Sequence, residues 1–229
     1  MYRKFLNARS PLRWLEQGLH GGLGPGNLGV AVAGHGVGKT CFLVGVALDE
    51  LLRGGRVLHV SLEATVQHVR AFYDTVFEEL ASSTHLEDAA VVHVEVDRRR
   101  SIRVYPPGGL DSARLREAVA LEAEAAERPS LVIVEGLDFG SLKRAELEDI
   151  KKLAVEMAAE IWLSAASADE QVPGVPEAVA RFEDLVSVIL ALEPGDGSVG
   201  LRALKDHDNP DLSDLRVSLD PRTLLLTRS

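Results

Sequence analysis

Residues 33–40 read Ala33-Gly34-His35-Gly36-Val37-Gly38-Lys39-Thr40, and no other stretch of the chain restricts its folding as tightly. Gly34, Gly36 and Gly38 alternate with other residues, which suits a tight turn whose backbone leaves the regions open to ordinary side chains. Residues 28–33 before the turn are apolar, and residues 39–52 after it repeat apolar side chains at helical spacing. Strand, glycine-rich turn and helix in that order fit the phosphate-binding loop GxxxxGK(S/T), with Ala33 in place of the first glycine. In such a loop the N–H groups of residues 36–40 converge at a helix N-terminus, where the helix dipole favours an anion. Gly34, His35, Gly36, Val37, Gly38, Lys39, Thr40 and Cys41 are therefore the candidate nucleotide contacts. Lys39 is expected at the β- and γ-phosphates. The Thr40 hydroxyl is expected to ligate magnesium, a small cation that takes oxygen donors and keeps several waters.

Around this unit the chain alternates strand and helix patterns. Residues 56–61 read as a second strand and residues 64–80 as an amphipathic helix with Val66, Val69, Tyr73, Val76, Phe77 and Leu80 on its apolar face. Residues 89–96 read as another strand, and residues 102–109 as an irregular loop ending Pro106-Pro107-Gly108-Gly109. Asp111 is placed to cap a helix running to about residue 128; residues 131–134 and 161–165 read as buried strands around a helix at 142–159. Beyond Pro176 the texture changes to short runs at 186–192, 199–205, 215–219 and 223–227, separated by glycines and prolines. The expected class is α/β: a mostly parallel central sheet flanked by helices, with antiparallel edge strands at its C-terminal end. One domain over residues 28–229 is expected, preceded by a lead-in segment, residues 1–27, packed on that core. Aromatics make up only 5% of the chain, so Val, Leu, Ile and Ala must build the interior.

A second phosphate-site element belongs at the end of a neighbouring buried strand, and Leu131-Val132-Ile133-Val134-Glu135 supplies an acid there. Glu135 is the candidate metal ligand with Thr40, and Asp138 is its rival. Residues 56–63, Arg56-Val57-Leu58-His59-Val60-Ser61-Leu62-Glu63, bring the second strand to a carboxylate before the long helix. In this stretch the chain resembles the RecA-like ATPases of the KaiC-like, RadA-like and DnaB-like branch, whose second strand ends in a similar Ser-Leu-Glu segment. The resemblance implies that Glu63 polarises the attacking water. Pro11-Leu12-Arg13-Trp14-Leu15 and Gly21-Gly22-Leu23-Gly24-Pro25-Gly26 look like that family's lead-in, a short helix and a glycine-rich stretch. Leu201 to Asp208 resembles the late strand that carries a Lys-x-Arg pair directed at a neighbouring subunit's nucleotide.

Lys205 matches the lysine of that pair, while His207 stands at the arginine position and lacks its permanent charge and forked donors. Where relatives often place a glutamine that senses the γ-phosphate, only Ser164 and Ser167 are polar. The resemblance thus implies ATP and Mg2+ as cofactors, a homo-oligomer, slow hydrolysis, and Glu63, Lys39 and Lys205 as the catalytic groups. The competing expectation is a non-hydrolysing switch or scaffold whose assembly is set by bound ATP.

Charge and composition prune other functions. Lys plus Arg number 25 against 35 for Asp plus Glu, a net charge of −10, which disfavours nucleic acid and anionic membranes as partners outside a local basic stripe. No apolar run is long enough to span a bilayer, and the lone Cys41, read as a small buried side chain, suits a reducing compartment; a cytoplasmic protein is expected. Lys205-Asp206-His207-Asp208 lacks the order that would read guanine. Arg98, Arg99, Arg100 and Arg103 imitate a kinase lid but read better as a solvated turn, with a local DNA or RNA contact as the remaining use, and His20, His59, His68, His85 and His93 read as surface or packing residues, too scattered for a metal site.

Overall fold

The computed structural model describes residue 8, residues 10–212 and residues 214–228. The first seven residues and Arg9 of the expected lead-in segment, and Ser213 and Ser229 of the expected core domain, lie outside the described residues.

Continuous apolar runs become strands buried on both faces, as a sheet covered by helices requires. These are β1 (Leu28–Ala33), β2 (Val57–Ser61) and β4 (Leu131–Glu135), every residue of which is buried, and β5 (Glu160–Ala166). The helices between them are α2 (Lys39–Arg53), α3 (Val66–Thr84), α4 (Ala89–Arg99), α5 (Ser112–Ala125) and α6 (Arg144–Met157). The edge strand β3 (Arg100–Val104) follows α4, and α1 (Leu12–Gly18) precedes β1. The chain continues through a single turn, α7 (Glu177–Ala180), into β6 (Val188–Pro194), β7 (Val199–Asp206), β8 (Asp214–Leu219) and β9 (Leu226–Arg228).

The sheet order is β3-β2-β4-β5-β1-β6-β7-β8-β9. Strands β1 to β6 run parallel, and β7, β8 and β9 add on as antiparallel neighbours. Alternate side chains of the sheet feed two apolar layers. Phe42, Leu43, Leu48, Leu51 and Tyr73 pack on one face, and Leu115, Leu147, Ile150 and Phe182 on the other. Each fully buried leucine or isoleucine contributes about 1.5–3 kcal/mol relative to exposure.

Two sequence expectations fail at the β3 edge. Residues 89–96 form helix α4 rather than a strand: Val92 and Val96, four apart, are buried, while Val91 and Val94 are exposed. The alternation Val92-His93-Val94-Glu95-Val96 imitates a strand, but only one helical stripe reaches the core. Residues 102–104 of the expected 102–109 loop belong instead to β3, because pairing with β2 in register (Val57 with Arg100, Ser61 with Val104) fixes a polar segment that hydropathy passes over.

The lead-in segment is fastened by both burial and charge. Leu12, Leu15, Leu19 and Leu23 enter the core. Arg13 bonds Glu16 at 2.6 Å and also Asp49 of α2, while Arg53 reaches Glu16 at 2.6 Å and Asp49 at 2.8 Å. Asp111 caps α5 through a bond from the Arg114 N–H at 2.8 Å.

Candidate nucleotide-binding site

The parallel strands place their C-terminal ends along one rim of the sheet. The glycine turn leaves β1 there, the Ser61-Leu62-Glu63 turn leaves β2, and Glu135 ends β4. Gly36 and Gly38 adopt φ values of 76° and 122°, conformations that side-chain-bearing residues rarely hold, and Gly38 leads directly into α2. A Cβ on Gly36 would meet nothing within 4 Å, so the turn's crest is open to a ligand. The turn's base is covered: a Cβ on Gly34 would lie 3.3 Å from the Asp169 carbonyl oxygen, in the loop that leaves β5.

Lys39 folds back on the turn. Its ammonium donates to the carbonyl oxygens of Ala33 at 3.0 Å and Gly34 at 3.1 Å. Burial pushes its pKa down, opposed by the negative charges of Glu63 and Glu135, so both acids act on the same ammonium. Thr40 follows as a half-buried residue in the first turn of α2. Cys41 is buried, and burial with the nearby Glu135 charge pushes its thiol up to about 11, so it stays protonated.

Local hydrogen bonds set the two acids. The Ser61 hydroxyl accepts from the N–H groups of Glu63 at 3.3 Å and Ala64 at 3.0 Å, tightening the turn that presents Glu63. Glu63 is exposed and passes over Gly136, where a Cβ would come within 2.5 Å of Glu63 Cγ. Glu135 is 3% exposed, and its Oε2 lies 2.9 Å from His59 Nε2. His59 Nδ1 in turn lies 3.0 Å from the Tyr73 hydroxyl, and both His59 and Tyr73 are fully buried. The rival acid, Asp138, spends its carboxylate on its own exposed turn, accepting from Gly140 N–H at 2.9 Å and Ser141 Oγ at 2.7 Å. Magnesium takes hard oxygen donors and needs few from the protein, and the Thr40 hydroxyl and the Glu135 carboxylate are donors of that kind at one rim.

The remaining sequence candidates stand elsewhere or are engaged. Ser164 is buried, its Oγ accepting from the Gly136 N–H at 2.9 Å, and Ser167 Oγ accepts from Asp169 N–H at 3.3 Å. Lys205 sits near the end of β7, which runs antiparallel to β6 with Asp206 opposite Val188. That is the sheet end away from the chain's own glycine turn, and the Lys205 ammonium donates to the Glu183 carbonyl. His207 faces Asp206 Oδ1 at 2.9 Å and the Leu23 carbonyl at 3.1 Å, which ties the lead-in segment to the sheet.

The arginine cluster lies at the β3 edge, four strands from β1, so it closes over no phosphate of this turn. Arg99 bonds the Gly54 carbonyl at 2.6 Å, Arg100 bonds Asp97 at 2.5 Å and Arg103 bonds Glu122 at 2.9 Å. Of the histidines, His93 alone joins a group with ligand spacing: among the described residues, Asp74, His93 and Asp97 bring three ligand atoms within 4.8 Å of one another. Arg70 and Arg100 already hold the Asp97 carboxylate, which leaves that group little charge for a cation. The His59 link to Glu135 escaped sequence reading entirely. Its one signal is a polar residue in the middle of an otherwise apolar strand.

No protein-family model matches the chain. It is similar to a DnaB-like replicative helicase of Enterobacteria phage T4, 26% identical over an alignment that takes in 67% of this chain and 38% of the helicase. The chain thus spans well under half the length of that relative. No helix among the described residues is long and apolar enough to cross a membrane.

Proposed function

We propose that this chain is a RecA-like ATPase domain that binds magnesium-ATP at the rim where β1, β2 and β4 end, and that it works as a homo-oligomer. One observation carries the reading: the glycine turn with Lys39 leaves β1, the Glu63 turn leaves β2 and Glu135 ends β4, all on one rim of the parallel sheet, with Glu63 passing over Gly136 beside Glu135. The similarity to a DnaB-like helicase supports the same class. In this reading the N–H groups of residues 36–40 bind the phosphates and Lys39 turns from its carbonyls to the β- and γ-oxygens. Glu63 orients the attacking water, and Thr40 and Glu135 hold magnesium. The cation, when bound, neutralises phosphate charge as the γ-phosphoryl departs. Catalysis is then mostly positioning and charge stabilisation.

Nucleic acid is not part of the proposal. The net charge of −10 disfavours nucleic acid as a partner outside a local basic stripe.

The test is calorimetric titration with magnesium-ATP. Lys39→Ala removes a charge-assisted bond worth about 1.5–3 kcal/mol, a loss of roughly 10- to 150-fold in affinity. Wild-type protein that gives no heat with any purine triphosphate defeats the proposal.

A second reading, an ATP-set switch without hydrolysis, is favoured by the intramolecular engagement of Ser164 and His207. Phosphate release across a protein-concentration series separates the two. A rate that climbs with assembly supports Lys205 acting on a neighbour's nucleotide, and no release at any concentration supports the switch.

A further inference from the structure

We infer that His59 is a positioning residue for Glu135: it fixes one carboxylate oxygen so that the other is presented to the metal-nucleotide complex. The inference rests on the site reading above, in which Glu135 holds magnesium.

The geometry is a buried line of three side chains. Glu135 stands at the end of β4, and His59 is its neighbour on β2, in register with Ile133 two residues back. Nε2 of His59 is 2.9 Å from Glu135 Oε2, and Nδ1 is 3.0 Å from the Tyr73 hydroxyl on α3. A carboxylate only accepts, so Nε2 carries a hydrogen. The Tyr73 hydroxyl is fully buried and donates to Nδ1, which fixes the tautomer. The Tyr73 ring is itself pinned by Arg100, whose guanidinium carbon lies 4.4 Å from the ring centroid. His59 and Tyr73 also meet edge to face, with centroids 5.6 Å apart.

His59 and Tyr73 are fully buried, so neither binds nucleotide itself. A histidine in a fully buried strand position costs desolvation that valine or isoleucine would avoid. What it gives in return is orientation. Glutamate has three rotatable side-chain bonds, and an unanchored Glu135 would sample conformers that face away from Thr40. Groups that orient a metal ligand typically change metal affinity by about 10- to 100-fold when removed.

The experiment follows a fluorescent ATP analogue bound to the full chain, titrated with magnesium after starting in EDTA. His59→Leu is expected to keep the metal-free affinity and to raise the magnesium midpoint by about 10- to 100-fold. His59→Gln, which restores an N–H donor toward Glu135, is expected to recover most of that loss. Glu135→Gln alone is expected to lose the magnesium response, and His59→Leu added to it to change nothing more, since both act through one oxygen pair. A histidine that merely packs would instead weaken both backgrounds equally.

Tyr73→Phe, which deletes one hydroxyl, carries the test should His59→Leu fail to fold; a several-fold rise in the magnesium midpoint is expected. A wild-type magnesium midpoint in His59→Leu, or in Tyr73→Phe if that variant is needed, overturns the inference and leaves the site reading intact. Wild-type protein that binds no nucleotide overturns both.

Discussion

Substituting Gly38 by alanine sets two costs against each other at the glycine turn. The first is a clash: the new methyl would stand 2.6 Å from Leu219 Cδ2, where β8 ends beside the turn. The second is backbone strain, because Gly38 has a φ of 122°. Leu219 Cδ2 is the tip of a rotatable side chain and can swing away. The backbone has no such escape, and a side-chain-bearing residue held in a sparsely populated region costs about 1–3 kcal/mol. Strain should therefore win.

If the turn keeps its shape, that energy lowers stability, by roughly 2–12 °C in melting temperature for a domain of this size. If the turn relaxes, the same energy appears as weaker nucleotide affinity, by about 5- to 150-fold. Gly36→Ala is the internal comparison, since φ is 76° there and nothing lies within 4 Å of the new methyl. Strain alone predicts comparable losses for the two variants. Circular-dichroism melting and titration with the ATP analogue read both forms of the cost. The reasoning is refuted if Gly38→Ala matches wild type in both, or if it becomes harmless when made in a Leu219→Ala background.

Two further predictions concern stability. Burial, reinforced by Glu50 and then by Asp49, holds the Glu160 carboxyl above its ordinary value of 4.5. Between that value and the raised one the folded state binds more protons than the unfolded chain, so stability falls as pH rises through the window. Glu16 and Asp49, also raised by burial, act with the same sign. Glu160→Gln should flatten the decline, and urea midpoints measured between about pH 4.5 and pH 7 would show it; an unchanged slope counts against the assignment. Asp111→Ala removes the cap of α5, a loss of about 1 kcal/mol that should lower the melting temperature by about 2–4 °C, whereas Lys143, which makes no side-chain cap on α6, should be replaceable by alanine at little cost.

What the sequence disclosed depended on whether the signal was local. The β1-turn-α2 unit is written in neighbouring residues, and Glu135 at the end of a four-residue apolar run is equally visible. Residues 89–96 and 102–104 mislead in sequence because their character is set by tertiary pairing: α4 displays a β-branched alternation, and β3 is a polar edge held by β2. His59, seventy-six residues from Glu135, meets it only because β2 and β4 are neighbours in the sheet. The engagement of His207 with Leu23 likewise depends on β7 running back toward the lead-in segment, which no spacing in the chain encodes.

The resting posture of Lys39 bears on the energetics of ligand capture. Because the ammonium already satisfies itself on Ala33 and Gly34, an incoming phosphate exchanges partners rather than supplying new ones. The enthalpy released at this residue is then only the difference between two sets of charge-assisted bonds. The same self-contact braces the empty turn, so under the proposed function a polyphosphate would meet a receptor whose shape its own side chain maintains.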